Sequence, residues 1–144
     1  MNTRIMLKIL LNICLLLSLF ALNACATKSD NLTVVVYNYW PRAIADVSIN
    51  GKYAGGSYSA YHPGGPGASM VAGVPIHVGE QKIEWTLDGG QKSTRLGEKI
   101  TAKAELKELS SSAKILAIHI YPDETVFLET GEWLMDERPN GVKQ

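Results

Sequence analysis

The chain has 144 residues, of which 14 are basic and 14 acidic, so its formal net charge at pH 7 is zero. This length fits one domain rather than two, and it is enough to bury a core without crosslinks. No run of basic residues is present, which argues against nucleic-acid binding.

An apolar run from Ile9 to Ala21 follows Arg4 and Lys8 near the N-terminus. The run contains 13 residues, whereas a helix needs about 20 apolar residues to cross a bilayer. A positively charged start followed by a short apolar run is typical of a secretory signal. The sequence therefore predicts a signal peptide that is removed, rather than an anchor that stays in the membrane.

The predicted cleavage site lies at the end of this run. Leu22, Asn23 and Ala24 stand directly before Cys25, and a small residue followed by cysteine resembles a bacterial lipoprotein signal. Cys25 would then carry the lipid anchor and become the mature N-terminus. Secretion without lipidation is the alternative, because Asn23 is untypical of such a site. Ala26 stands where an aspartate would resemble an inner-membrane retention signal, so we expect an outer-membrane lipoprotein that faces the periplasm.

Removal of the signal peptide, residues 1–24, changes both the size and the charge of the chain. Taking 24 residues from 144 leaves 120. Arg4 and Lys8 are lost, so 12 basic residues face 14 acidic ones and the net charge becomes −2. Cys14 would leave with the signal and Cys25 would be lipidated, so no pair of thiols remains for a disulfide. Packing and hydrogen bonds must then hold the mature domain together.

The mature chain is predicted as a lipidated tether at residues 25–31, a β domain at 32–135 and a flexible C-terminal tail at 136–144. The first strand is predicted at Leu32–Tyr37, which is rich in β-branched residues. The clearest strand pattern is Gln81–Leu87, where apolar and polar residues alternate.

Ala45, Val47 and Ile49 alternate with polar residues and are expected to face the core, and Asn50-Gly51 after them predicts a tight turn. Other segments complete the pattern. Lys99–Leu106 fits a strand but also a helix. Two further segments, Lys114–Tyr121 and Thr125–Glu129, fit strands. Trp133 and Leu134 are expected to cap the core.

The segment Lys52–Gly73 is rich in glycine and is predicted as one long loop without regular structure. Such a loop is either a mobile excursion or a functional element. Its aromatic side chains favour contact with a partner, because tyrosine gives a large contact area at low entropic cost. The candidate interface residues are Tyr53, Tyr58, Tyr61 and His62.

Turn residues separate about seven predicted strands, and no helix longer than two turns is predicted. The predicted fold is all-β, an antiparallel β-sandwich or open barrel with one long Gly-rich loop.

No arrangement of catalytic or metal-binding residues is apparent. Gly67–Val71 departs from the Gly-x-Ser-x-Gly nucleophile motif at its last position. His62, His77 and His119 lack the spacing of metal ligands, and His119 is expected to point away from the core. We therefore predict a protein that is not an enzyme, with no cofactor, metal or small-molecule substrate. The acidic residues near the C-terminus are predicted to form a solvated edge: Glu129, Glu132, Asp136 and Glu137.

The order of several short motifs resembles a family of bacterial lipoproteins of unknown function. The motifs are Ile44–Gly51, Gly55-Gly56, Gly64–Gly67, Val74-Pro75, Lys82–Trp85 and His119–Asp123. The resemblance covers about Leu32 to Glu132 and implies an association with lipase effectors of type VI secretion.

On this resemblance, the expected function is that of an immunity protein, anchored to the membrane through its N-terminal lipid, that binds and inhibits a phospholipase effector. The alternative is a structural or assembly lipoprotein of the cell envelope that binds another envelope component.

Overall fold

The computed structural model describes residues 29–89, 92 and 94–140. The predicted signal peptide, its cleavage site and Cys25 lie outside the described residues. Within them the chain forms eight strands and no helix. The strands are β1 Asp30–Asn38, β2 Ile44–Ile49, β3 Lys52–Tyr58, β4 Gly67–Ile76, β5 Gly79–Leu87, β6 Lys99–Leu106, β7 Ile115–Ile120 and β8 Val126–Gly131. Accordingly, no described helix has the length and apolarity to cross a bilayer.

The strands form two four-stranded sheets that pack as a β-sandwich, which confirms the predicted all-β class. Sheet I has the order β4-β1-β7-β8, and sheet II has the order β3-β2-β5-β6. Every pair in sheet II is antiparallel. Sheet I is mixed, because β1 and β7 run parallel while the other pairs are antiparallel.

The main core lies between the two sheets and is built by alternation along the strands. Ile83, Trp85 and Leu87 in β5 are buried, as predicted. In β6, Ile100 and Leu106 are buried and the segment pairs with β5 along its whole length. The helical alternative for this segment is therefore wrong, and its period of two decides the structure.

In β2 the predicted inward face is only partly correct. Val47 and Ile49 are buried, but Ala45 is only partly buried and Ile44 is buried instead. The register against β5 shifts between Ile44 and Asp46. This β-bulge adds one residue and changes which side chains face inward. The Asn50-Gly51 turn is confirmed, with φ of 50° and 75° at its two residues.

The predicted long loop at Lys52–Gly73 is wrong, because β3 and most of β4 occupy it and only residues 59–66 connect them. Two glycines in this segment allow neighbouring atoms to approach the backbone closely. A Cβ at Gly67 would overlap the backbone of Ser59, and a Cβ at Gly55 would overlap the hydroxyl of Tyr58. Gly55 also has a φ of 130°, a conformation that side chains disfavour.

The ends of the domain also differ from expectation. β1 begins at Asp30, so the last two residues of the predicted tether belong to the sheet. Trp133 and Leu134 are exposed and do not cap the core. Residues 132–138, here called the strap, cross the outer face of sheet I, and Arg138 within the predicted tail is held there by its backbone and its side chain.

Candidate interaction surface

The outer face of sheet I carries aromatic side chains that are buried although they point away from the main core. In β1, Val34 and Val36 face the main core, whereas Val35 and Tyr37 face outward. Together with one residue of β7 and the residues that directly follow β1 and β7, they form a second buried cluster: Val35, Tyr37, Tyr39, Ala117 and Tyr121. The strap covers this face, so sheet I is buried on both sides in this region.

His119 lies at the centre of this second cluster. It points away from the main core, as predicted, but it is fully buried rather than solvated. Its ring stacks on Tyr37 with centroids 4.9 Å apart and on Tyr39 at 5.9 Å. The alternation that turns Ile118 and Ile120 inward turns His119 towards the strap.

A chain of hydrogen bonds fixes the protonation of His119. The backbone N–H of Arg138 donates to Oη of Tyr39 at 2.6 Å, so this hydroxyl can donate its own proton to Nδ1 of His119 at 3.1 Å. The opposite ring atom, Nε2, then donates to Oε1 of Glu129 at 3.1 Å. A neutral imidazole with its proton on Nε2 satisfies every group. Burial lowers the pKa of His119, and Glu129 opposes this effect only in part.

Glu129 joins the strap to the sheet. Its carboxylate accepts two hydrogen bonds from Arg138, at 2.9 Å from Nε and 2.7 Å from Nη2. The hydroxyl of Tyr37 donates to the carbonyl of Met135 at 3.0 Å, and that of Tyr121 to the carbonyl of Arg138 at 2.8 Å. Glu129 is only 15% exposed, so its place in a solvated acidic edge is wrong. The strap is held at two residues by partly buried polar contacts.

The order Tyr39, His119, Glu129 has the form of a nucleophile, a base and an orienting acid. Burial raises the pKa of Tyr39, which makes its hydroxyl harder to ionise. The strap also covers the hydroxyl, since the N–H of Arg138 occupies it. The arrangement is suited to fastening the strap rather than to attacking a substrate. Within the part of the chain that the structure describes, no three potential ligands are placed to share a metal ion.

Beside the strap lies an exposed apolar groove of about 280 Å³. Met70 of β4 is paired with Val35 of β1, so both lie on the outer face of sheet I. Leu134 of the strap forms the facing wall. Met70 and Leu134 are 62% and 59% exposed, which is high for large apolar side chains. The lining is Val35, Tyr37, Ala68, Ser69, Met70 and Leu134.

The four residues predicted as a partner interface do not share one surface. Tyr58 is 1% exposed in the main core and donates to the carbonyl of Ala54 at 3.2 Å, so it is unavailable to a partner and this prediction is wrong. Tyr53 is exposed but pairs with Ser48, between the inward-facing Val47 and Ile49, and so lies on the outer face of sheet II.

The two remaining candidates, Tyr61 and His62, lie in the connection at residues 59–66. The ring of Tyr61 contacts that of Tyr39 with centroids 5.9 Å apart, which places it beside the second cluster. His62 is exposed, and its Nδ1 accepts the N–H of Gly64 at 2.9 Å. Of the predicted set, Tyr61 therefore lies on the outer face of sheet I, as the groove does.

Sequence reasoning did not identify Met70 and Leu134 as surface contacts for a partner, although the composition of β1 and β7 indicates that their outer face is covered. β1 has an unbroken apolar and aromatic run at 34–37, and β7 is apolar at every position but His119, a pattern typical of strands that are covered on both faces. That pattern predicts a cover for the outer face but does not say which segment supplies it.

We compared the chain with protein-family models, with curated proteins and with solved structures, and found no match.

Proposed function

We propose that this protein is an outer-membrane lipoprotein of the periplasm that acts as an immunity protein, binding and inhibiting a phospholipase effector of type VI secretion. The resemblance of its motif order to lipoproteins associated with such effectors supports this proposal. The observation that carries it is the exposed apolar groove between Met70 and Leu134.

The openness of the groove favours a protein partner over a small substrate. Small-molecule sites usually enclose about 300 to 1,000 Å³ and bury most of their ligand. This groove measures about 280 Å³ and is open to solvent along exposed Met70 and Leu134. A site of this kind suits one large apolar side chain that a partner protein inserts as an anchor.

The strap makes the groove a preformed site. Leu134 lies next to Met135, whose carbonyl accepts the hydroxyl of Tyr37, and Arg138 is bound by Glu129. A wall that is ordered before binding loses less conformational entropy when the partner arrives. An inhibitor anchored by lipid would also be concentrated at the membrane that the phospholipase attacks.

The test is to sequence the neighbouring genes for a phospholipase and to co-express that enzyme, directed to the periplasm, with survival as the readout. We expect the wild-type protein to protect cells. Met70→Asp and Leu134→Asp should abolish protection and weaken binding to the purified lipase by at least about tenfold, because each places a charge in the apolar groove.

Tyr53→Asp is the matched control. Tyr53 is 62% exposed, as is Met70, but it lies on the opposite sheet. This variant should protect and bind like the wild type. If cells that produce the lipase die equally with and without the wild-type protein, the immunity proposal is wrong. Stable binding to another envelope component instead would support the structural or assembly role.

A further inference from the structure

We propose that the end of the sandwich at which β1 begins rests on the membrane surface, with Trp133 and Val78 among the lipid headgroups. This inference rests on the part of the proposed function that anchors Cys25 by lipid. It adds an orientation, and a second contact with the bilayer that is independent of the acyl chains.

The length of the tether limits where the domain can lie. Five peptide bonds join Cys25 to Asp30, the first residue of β1. Even a fully extended chain of this length spans at most about 18 Å. β1 itself has nine residues and is about 26 Å long between its first and last Cα atoms. The end that carries Asp30 must therefore stay near the bilayer.

Two exposed apolar side chains lie at this end. Asp30 pairs with Ile76, and Val78 follows in the two-residue connection from β4 to β5. On the other side of β1, Thr33 donates to the carbonyl of Lys114, and Lys114 donates to the carbonyl of Gly131, both at 2.9 Å. The strap starts directly after Gly131.

Trp133 stands at the start of the strap and is 76% exposed, while Val78 is 47% exposed. Nζ of Lys114 lies 5.7 Å from the centroid of the Trp133 ring and 3.0 Å from Oε1 of Glu132. Tryptophan is enriched at the boundary between lipid and water, where its ring is apolar and its N–H can be hydrated. Lysine beside it can extend its charge to the headgroups while its stem stays apolar.

Charges of both signs lie at this end, so electrostatic attraction is not the expected driving force. Among the described residues they are Lys52, Lys82, Lys103, Lys107 and Lys114 with Asp30, Glu80, Glu105, Glu108 and Glu132. We therefore expect contact with zwitterionic as well as anionic lipid, and little dependence on salt.

The orientation agrees with a groove that is open to a partner. Tyr61 donates its backbone N–H to the carbonyl of Trp40 at 2.7 Å, beyond the far end of β1. The connection at residues 59–66 therefore lies at the end of the sandwich away from the bilayer. Met70, which pairs with Val35 in the middle of β1, would face sideways into the periplasm.

The test is tryptophan fluorescence of the mature lipidated protein in vesicles of phosphatidylethanolamine and phosphatidylglycerol, with and without brominated acyl chains. The chain has three tryptophans. Trp40 and Trp85 are buried in the main core, so Trp133 is the one placed to meet lipid. We expect brominated lipid to remove the Trp133 component of the emission, at low and at high salt. Trp133→Phe should abolish the difference between the two kinds of vesicle.

Mass spectrometry of the N-terminus on the same sample separates the possible failures. A lipidated protein with equal emission in both vesicles overturns the orientation alone. A protein without lipid overturns the anchor and the orientation together. If emission is equal and Trp133→Ser weakens lipase binding, Trp133 belongs to a protein interface and the membrane contact is wrong. The vesicle assay contains no lipase, so its result does not depend on whether the protein inhibits a lipase.

Discussion

Oε1 of Glu129 lies 3.1 Å from Nε2 of His119 and also 2.9 Å from Nε of Arg138. One carboxylate thus connects β7, β8 and the strap. The same histidine receives the hydroxyl of Tyr39, which in turn accepts the backbone N–H of Arg138. These contacts close a ring of hydrogen bonds through the strap, in which the donor and the acceptor of each bond are defined.

Replacement of Glu129 by glutamine should open this ring. The amide removes the charge that binds Arg138 and presents N–H groups where acceptors are needed. We expect a loss of about 2 kcal/mol in the free energy of unfolding, the range for a hydrogen bond to a charged partner. Urea denaturation measures the loss, and limited proteolysis should show faster cleavage within residues 132–140.

Glu80→Gln is the control for this prediction. Glu80 pairs with Lys103 at 2.9 Å, but both side chains are more than half exposed. Exposed pairs contribute about 0 to 1 kcal/mol, so this variant should behave like the wild type. If both variants are equally stable, Glu129 does not fasten the strap.

The stability of the fold should fall as the pH falls below about 6.5, the ordinary pKa of histidine. Burial lowers the pKa of His119 in the folded state, so the unfolded chain binds a proton first and is favoured as the pH decreases. Stability is fully present above the unfolded value and is lost between that value and the lowered folded one. The groups around the ring are Tyr37, Tyr39, Tyr121, Glu129 and Arg138.

Comparison of the His119→Gln variant with the wild type isolates the contribution of His119 to the pH dependence of stability. The variant should be less stable at pH 7, yet its free energy of unfolding should change less between about pH 7 and pH 5. His62→Gln, at an exposed histidine, should keep the wild-type pH dependence. A wild-type protein whose urea midpoint is the same at both pH values would show that His119 is not held neutral by the fold.

Some of this structure follows from local sequence and some cannot. The alternation of Ile83, Trp85 and Leu87 is complete within one strand, so β5 and its inward face were predictable. The hydroxyl of Tyr37 and the carbonyl of Met135 are 98 residues apart in the chain. No periodicity within a strand encodes such a contact, so the strap and the groove wall at Leu134 emerged only from the fold.

The prediction of a loop in the glycine-rich region was wrong for a related reason. Glycine weakens a strand pattern, and Gly55 and Gly67 led us to predict a loop. Their small size serves neighbours that sequence does not reveal, the hydroxyl of Tyr58 and the backbone of Ser59. Because the segment was predicted as an exposed loop, Tyr58 was predicted as an interface residue. Its ring lies in the main core instead.

Tyr58→Ala and Tyr61→Ala should consequently differ in their effect on stability. Removing the buried ring of Tyr58 leaves a cavity in the main core, for which we expect a loss of about 3 to 5 kcal/mol in the free energy of unfolding. Tyr61 is 40% exposed, and its replacement should cost about 1 kcal/mol or less. Thermal melting separates the two. Equal melting temperatures would mean that Tyr58 is not a core residue in solution.

Gly67→Ala should destabilise the junction between the sheets. A Cβ at this position would meet the backbone N, C and O atoms of Ser59, which cannot rotate away as a side chain can. Forcing such contacts usually costs about 1 to 3 kcal/mol. Gly64→Ala is the matched control from the connection just before β4, because its Cβ would meet only the exposed ring of His62. Urea denaturation should show a clear shift for the first variant and little for the second. Equal midpoints would mean that Gly67 is not retained for this close approach.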